Sequence, residues 1–364
     1  MSTVTRRRPG MPTLPRALPR AQRETESGRP PRMKKGAPGV SKRFGRPTTP
    51  SRPLDFAILC ERYRDTPSDF GFDPRRSAET IAQQLNVSAA TVRRRLAEWR
   101  TSGFFVGYEV LPHPALWGGR WAARILEFPD PVSQEAAVRP LSLIDGVIQI
   151  VPSRNLLLVV YFLESEAESE RRLLQLRQIR GPKEVGPEMP FVLRPCNHRM
   201  SRSDWRLVQA VRRTPEAPLA ALAEGLGQSQ KTTSRRLNAL LDGAALIFDP
   251  ILDFSRFPQT LAVVAAFLDS PERSEEVRST IHALLPHAEQ SRGPSTMGVD
   301  DRPGSVQFLA CARTAAELDA WSSQVARIPG VDHTLLWYEQ CSIPVRDWLD
   351  TRIERILAAG GSTN

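Results

Sequence analysis

The sequence predicts an α+β protein: two tandem winged helix-turn-helix domains, each followed by a ferredoxin-like βαββαβ domain, behind a disordered basic N-terminal tail. Three observations lead there. A twelve-residue run at 85–96 has a counterpart at 226–237, which sets Ser88 and Ser229 in equal positions. After each run the apolar spacing changes from the rhythm of a helix to the alternation of a strand. The positive charge, finally, is concentrated in the first 52 residues.

In the first unit, residues 54–64 place Leu54, Ile58, Leu59 and Tyr63 on one helical stripe. Ser77 offers an N-cap to a second short helix ending near Gln84, because its hydroxyl accepts from an N–H that the first turn leaves unpaired. Asn86-Val87 makes a tight turn, and Ser88 caps a third helix whose Val92, Leu96 and Trp99 face inward. Gly103 ends that helix, and the alternating run 104–110 suits a strand of a small wing. The second unit repeats the order: Ser203 caps the first helix, 219–224 is the second, Ser229 caps the third, Gly243 ends it, and 245–251 is its wing.

The segment after each wing reads as βαββαβ. In the first copy the strands are 121–128, 147–151, 156–163 and 185–193, with helices at 133–143 and 167–179. In the second the strands are 261–268, a poor one near 287–291, 306–312 and 334–341, with helices at 272–285 and 315–328. A last amphipathic helix, 345–358, carries Trp348, Leu349, Ile353, Ile356 and Leu357 and is expected to lie across a neighbouring surface. The expected domains are therefore a tail (1–52), winged helices at 53–112 and 201–254, ferredoxin-like domains at 113–196 and 255–344, and a C-terminal helix (345–364).

Residues 1–52 hold fourteen Lys and Arg against Glu24 and Glu26, a net +12 in a chain of net +10, so the remainder carries −2. Rich in Pro, Gly, Ser and Thr, this stretch buries too little apolar surface to offset the entropy of ordering. It reads as a basic arm for phosphates, with a solubilising leader as the plain alternative; Gly45-Arg46-Pro47 has the look of a minor-groove hook. No run approaches the ~20 apolar residues of a membrane span and no apolar signal core is present, so a cytoplasmic protein without membrane contact is expected. Cys60, Cys196, Cys311 and Cys341 form no C-x-x-C pair and read as free thiols, and Cys196 with His198 lacks the second pair that a zinc site needs. No metal, no cofactor and no catalytic set is expected, which makes the chain a non-enzyme on this reading.

The run Leu85-x-Val87-Ser88-x-x-x-Val92-x-Arg94-Arg95-Leu96, continued by Gly103-Phe104-Phe105-Val106-Gly107-Tyr108 and a strand, resembles the DNA-binding end of the Lrp/AsnC transcription regulators. The βαββαβ segment looks like that family's effector and oligomerisation domain. The resemblance covers 54–195 and, more loosely, 203–344; ordinary members carry one such unit. It implies double-stranded DNA as partner, a small-molecule effector (an amino acid or another), and pairing of the α/β domains, either in a homo-oligomer or inside this chain as a pseudo-dimer. Where the family reads Gly-x-x-Asp between its second and third strands, this chain has Pro152-Ser153-Arg154-Asn155, and in the second copy a Pro-Gly-Asp-rich insertion ending at Gly304. Siroheme decarboxylases share the fold and form the alternative. Their signature resembles His-Asn-Tyr-x-Arg-x-His, which neither 148–155 nor 287–298 reproduces.

In both units hydroxyl and basic side chains crowd the N-terminal half of the third helix, the part that enters a major groove. Ser88, Thr91, Arg93 and Arg94 are the contact candidates in the first, and Gln230, Lys231, Thr232 and Arg235 in the second. Arg reaches guanine edges, and short polar groups reach phosphate. A solvated basic face is the plain alternative for Arg93-Arg94-Arg95 alone. Arg95 and Arg236 adjoin a core leucine, so either DNA contact or a structural ion pair suits them.

Overall fold

Three helices open the computed structural model: α1 (Leu54–Tyr63), α2 (Ala78–Leu85) and α3 (Ala89–Ser102), followed by β1 (Phe105–Pro112). The structure describes residues 54–63, 74, 76–191, 193–284, 289–290, 305–338 and 341–360; the basic tail and the insertion ending at Gly304 lie outside them. Ser77 and Ser88 cap their helices as expected, accepting from the N–H of Thr80 at 3.2 Å and of Thr91 at 3.1 Å. Between them Asn86 holds φ at 53°, the left-handed geometry that the tight turn demands and that Asn tolerates better than most residues.

Next come β2 (Arg120–Glu127), α4 (Pro131–Ser142), β3 (Val147–Ser153), β4 (Leu156–Leu163), α5 (Glu166–Gln178) and the short strands β5 (Glu184–Val185) and β6 (Met189–Pro190). The helical order then recurs with α6 (Arg202–Arg213), α7 (Leu219–Leu226) and α8 (Gln230–Asp242), leading into β7 (Leu246–Leu252). Last are β8 (Thr260–Leu268), α9 (Ser274–Leu284), β9 (Glu289–Gln290), β10 (Ser305–Ala312), α10 (Ala315–Val325), β11 (Val331–Trp337), β12 (Ile343–Pro344) and α11 (Asp347–Ala358). One sheet runs β12-β3-β4-β2-β5 with β6 also beside β2, the other β11-β8-β10-β9. In each, the first strand of its segment lies between the third and the last, the ferredoxin-like arrangement.

Four details differ from the sequence reading. Neither β1 nor β7 folds into a local wing; they pair with each other, antiparallel, with Glu109 opposite Asp249. Each next strand is taken into a larger sheet, so the open edges of β1 and β7 find cover in one another. The strand expected at 185–193 is cut into β5 and β6, which pair with β2 in registers one residue apart, Val185 opposite Leu126 but Met189 opposite Ala123; Pro187 and Pro190 have no N–H to donate to a continuous ladder. The cap of α6 is Ser201 rather than Ser203: Asp204 stands three residues later and closes a reciprocal capping box. Finally, β11 starts and ends earlier than expected, and the chain then adds β12 to the β3 edge, Ile343 opposite Ile150.

The two large sheets share one core, in which Trp121, Ile148, Val160 and Phe162 from one sheet cluster with Val263, Leu309 and Trp337 from the other. Ala137, Leu141 and Leu176 cover the far face of the first sheet, and Val277, Ile281, Leu318 and Val325 that of the second. Helix α11 does lie across a neighbour: its Ile353 joins Trp205, Val208 and Leu240 of the second helical unit. Among the described residues no helix is long and apolar enough to cross a membrane.

Polar groups are buried where the β1–β7 ribbon meets this core. Glu109 is gripped by Arg212 at 2.9 Å and Arg346 at 2.7 Å, and Arg212 also reaches Asp350 at 2.9 Å. Asp249 pairs with no cation among the described residues and accepts from Gln149 of β3 at 2.7 Å. Burial, with the Glu109 charge across the ribbon adding to it, pushes the Asp249 carboxyl up to about 7. A carboxyl raised on folding binds more protons folded than unfolded, so its stabilisation is complete below the unfolded value of 3.8 and is lost as pH rises through about 7. The melting temperature of the wild type is therefore expected to fall between pH 5 and pH 8 by more than that of Asp249→Asn. Parallel melting curves for the two proteins would show the charge to be harmless.

Candidate nucleic-acid interface

Helix α8 is positioned by its two neighbours. Gly227, at φ 63°, makes the left-handed turn out of α7, and Ser229 caps α8 by accepting from the Thr232 N–H at 3.1 Å. On its inner side Thr233, Leu240 and Leu241 are buried. Arg236 reaches back to Asp204 of α6 at 3.0 Å, and Asp204 itself accepts from the backbone and hydroxyl of Ser201 at 2.8 and 2.6 Å. Burial works against the Asp204 charge, but the bonds from Ser201 and Arg236 outweigh it and hold the carboxyl below its usual range. What remains outward is the first turn and one side: Gln230, Lys231 and Arg235 are exposed.

Helix α3 is held in the same manner. Asp55 of α1 accepts from the Trp99 indole at 3.0 Å and pairs with Arg95 at 3.7 Å. Arg95 and Arg236 are thus structural ion-pair partners in both units. The outward cations of α3 are engaged as well: Arg93 pairs with Glu79 of α2, and Arg94 with Glu98 one turn along at 3.1 Å.

The eight candidates fall into two groups of four on the two helices. Their hydroxyls are committed in part to capping: Ser88 and Thr91 bond to each other at 2.8 Å, Ser229 and Thr232 at 2.9 Å. Sequence reasoning missed Arg199, Arg202 and Arg206, all exposed beside or on α6 and without an ion pair among the described residues. Their signal was present, since Arg202 and Arg206 are four apart and share one side of α6. The two helical units are also pinned together: Arg100, near the end of α3, makes a bidentate pair with Glu216 of the α6–α7 loop, both bonds 2.7 Å. Beneath this pair Leu96 and Trp99 of α3 and Leu237 of α8 line a common cavity of about 380 Å³.

Residues 200–243 match the family of winged helix-turn-helix DNA-binding domains. The matched segment holds the three helices of a helix-turn-helix and ends before β7. It spans α6 to α8, the part that carries Arg202, Arg206, Lys231 and Arg235. No curated protein matches the chain in sequence.

Among solved structures, the siroheme decarboxylase NirDL, in a complex with an iron-uroporphyrin III analogue, is similar over 84% of this chain and 99% of its own, at 13% identity and a TM-score of 0.44. A transcriptional regulatory protein of the ASNC family from Pyrococcus furiosus is similar over 38% of this chain and 87% of its own, at 18% identity and a TM-score of 0.27. Escherichia coli AsnC is similar over 40% and 94%, at 16% and 0.26. The reading of the chain as a non-enzyme is corrected by the first of these, because the similarity that extends over most of its length is to an enzyme. At these identities and scores the likenesses assign no residue role and no substrate to this chain.

The Arg236–Asp204–Ser201 lock carries a stability expectation. Asp204→Ala removes a capping box and leaves Arg236 without its carboxylate, and is expected to lower unfolding free energy by about 2 kcal/mol. Arg235→Ala, one residue away on the solvent side, is expected to change it by less than about 0.5 kcal/mol. Urea denaturation monitored by tryptophan fluorescence compares them, and equal costs would show that Asp204 does not anchor the helix.

Proposed function

We propose that the chain is a sequence-specific DNA-binding transcription regulator of the Lrp/AsnC type, built from two tandem copies of one unit that pair inside the chain as a pseudo-dimer. The observation that carries this reading is α8: a capped helix in a segment matching DNA-binding winged helices, with Lys231 and Arg235 outward and free of ion pairs among the described residues. Lys231 and Gln230 lie in its first turn, where a recognition helix meets base edges, and Arg235 follows one turn on. Arg offers the bidentate fork that fits guanine O6 and N7. Thr232, held at the cap, is assigned to phosphate or sugar. On α3, Ser88, Thr91, Arg93 and Arg94 form the corresponding group for a second half-site.

The duplication is supported by recurring positions. Ser88 and Ser229 cap, Asn86 and Gly227 turn, and the Arg95–Asp55 and Arg236–Asp204 pairs lock the two third helices. The shared core of the two sheets and the β1–β7 ribbon support the pseudo-dimer. The turn at 152–155, which stands in place of the Gly-x-x-Asp of the Lrp/AsnC resemblance, is engaged within the chain: Arg154 lies over the Tyr338 ring at 3.9 Å and Asn155 donates to the Phe128 carbonyl at 3.2 Å. The basic tail is assigned to the phosphate backbone.

Two results are expected. Mobility-shift titrations on a site selected from genomic fragments should show Arg235→Ala weakening specific binding by about 1 to 3 kcal/mol. The selected sites should consist of two unlike half-sites separated by a multiple of roughly 10 base pairs, because α3 and α8 differ in sequence. Perfect palindromes among the selected fragments would count against the pseudo-dimer, and no retained fragment at all would count against DNA binding.

A further inference from the structure

We infer that the two recognition helices are unequal: on α3 the carboxylates of Glu79 and Glu98 mask Arg93 and Arg94, leaving α8 and the adjoining cations of 199–206 as the principal grip on DNA. This rests on the DNA-binding reading above and assigns the labour within it.

The equal positions of the two units fix the comparison. With Arg95–Asp55 set on Arg236–Asp204 and the Asn86 turn on the Gly227 turn, Arg94 corresponds to Arg235. Glu79 then corresponds to Ala220, and Glu98 to Ala239. Both carboxylates that neutralise the first face are therefore methyl groups on the second. Glu224, one turn beyond Ala220 on α7, makes no ion pair with the α8 cations. The first helix tells the same story, since Arg202 and Arg206 stand where the first unit has Pro53 and the buried Ala57.

The masking pairs are at the surface. Arg93 and Glu79 have side chains 60% and 58% exposed, and Arg94 and Glu98 61% and 46%. Exposed pairs hold each other only weakly, so phosphate can part them and the mask is not a lock. Its effect is on the field. Glu98 also holds Arg95 at 3.0 Å, so three cations, Arg93, Arg94 and Arg95, are matched by three carboxylates, Glu79, Glu98 and Asp55. The set presents no net charge to the duplex, and each phosphate it approaches also meets an anion within a Debye length of about 8 Å. The salt-dependent gain from counterion release is then withheld from α3 and kept by α8.

The test uses the full-length protein in salt titrations on a selected duplex and on a random one, followed by fluorescence anisotropy. Glu79→Gln with Glu98→Gln, which keeps side-chain size and removes the charge, should tighten binding to the random duplex. It should also steepen the slope of log affinity against log salt by about 1 to 2 units, at about 0.9 for each phosphate neutralised. Arg94→Ala should cost at least threefold more affinity when Glu98 is Gln than in the wild type, whereas Arg235→Ala should cost tenfold or more in either background. Glu98→Ala, which copies Ala239, gives the same comparison should the double variant fold poorly. An unchanged slope, or an equal cost of Arg94→Ala in both backgrounds, overturns the inequality while leaving a DNA-binding protein. A wild type that binds neither duplex removes the underlying reading and the inference with it.

Discussion

The antiparallel pairing of β1 with β7 is the contact on which the rest of the structure depends. It joins strands from two helical units that lie far apart in the chain, and it seats the buried pair of Glu109 and Asp249 face to face. Two carboxylates in direct cross-strand opposition repel, and the surroundings resolve this unequally. Glu109 receives two arginines, Arg212 from α6 and Arg346 from just before α11, whereas Asp249 receives an amide from β3. Each of these partners comes from a different layer, so the ribbon is tied to the second helical unit, to the C-terminal helix and to the first sheet at one point. The Arg100–Glu216 pair and the aromatic packing of Trp99 on Phe104 and Phe257 extend the same junction outward.

Given that junction, the outward sides of α3 and α8 follow from short-range chemistry. A serine hydroxyl sets the first turn of each helix, an arginine–aspartate pair fixes its rotation, and a stripe of apolar side chains seats it. What is left over is the only part free to differ between the two, and there the composition diverges: carboxylates flank one helix and alanines the other. A shared scaffold with divergent outer residues is the pattern expected where packing constrains the inside and partners select the outside.

Much of this was legible in the sequence. Caps, turns and apolar stripes are local signals, and Ser77, Ser88, Ser229 and Gly243 each mark an element end that the structure reproduces. The ribbon was not legible, because strand partners about 140 residues apart leave no trace in periodicity and a short alternating run after a helix equally suits a local wing. The Ser203 assignment failed for a smaller reason: two serines compete, and the carboxylate three residues after Ser201 decides between them. At the candidate site, the Arg94–Glu98 pair was readable as an i,i+4 spacing. The Arg93–Glu79 pair crosses the turn between helices and emerges only in three dimensions. Arg199, Arg202 and Arg206 lie on or just before α6, so the pattern of the third helix carries no sign of them.

The ribbon also bears on how the assembly responds to dilution. Both of its strands belong to one polypeptide, so forming it is a first-order event governed by the effective concentration that the intervening chain imposes, not by how many molecules share the solution. A dimer of separate subunits falls apart as its copy number drops and trades partners with relatives present in the same cell. Here the pairing of the two strands, and with it the Arg100–Glu216 contact between α3 and the α6–α7 loop, is independent of abundance.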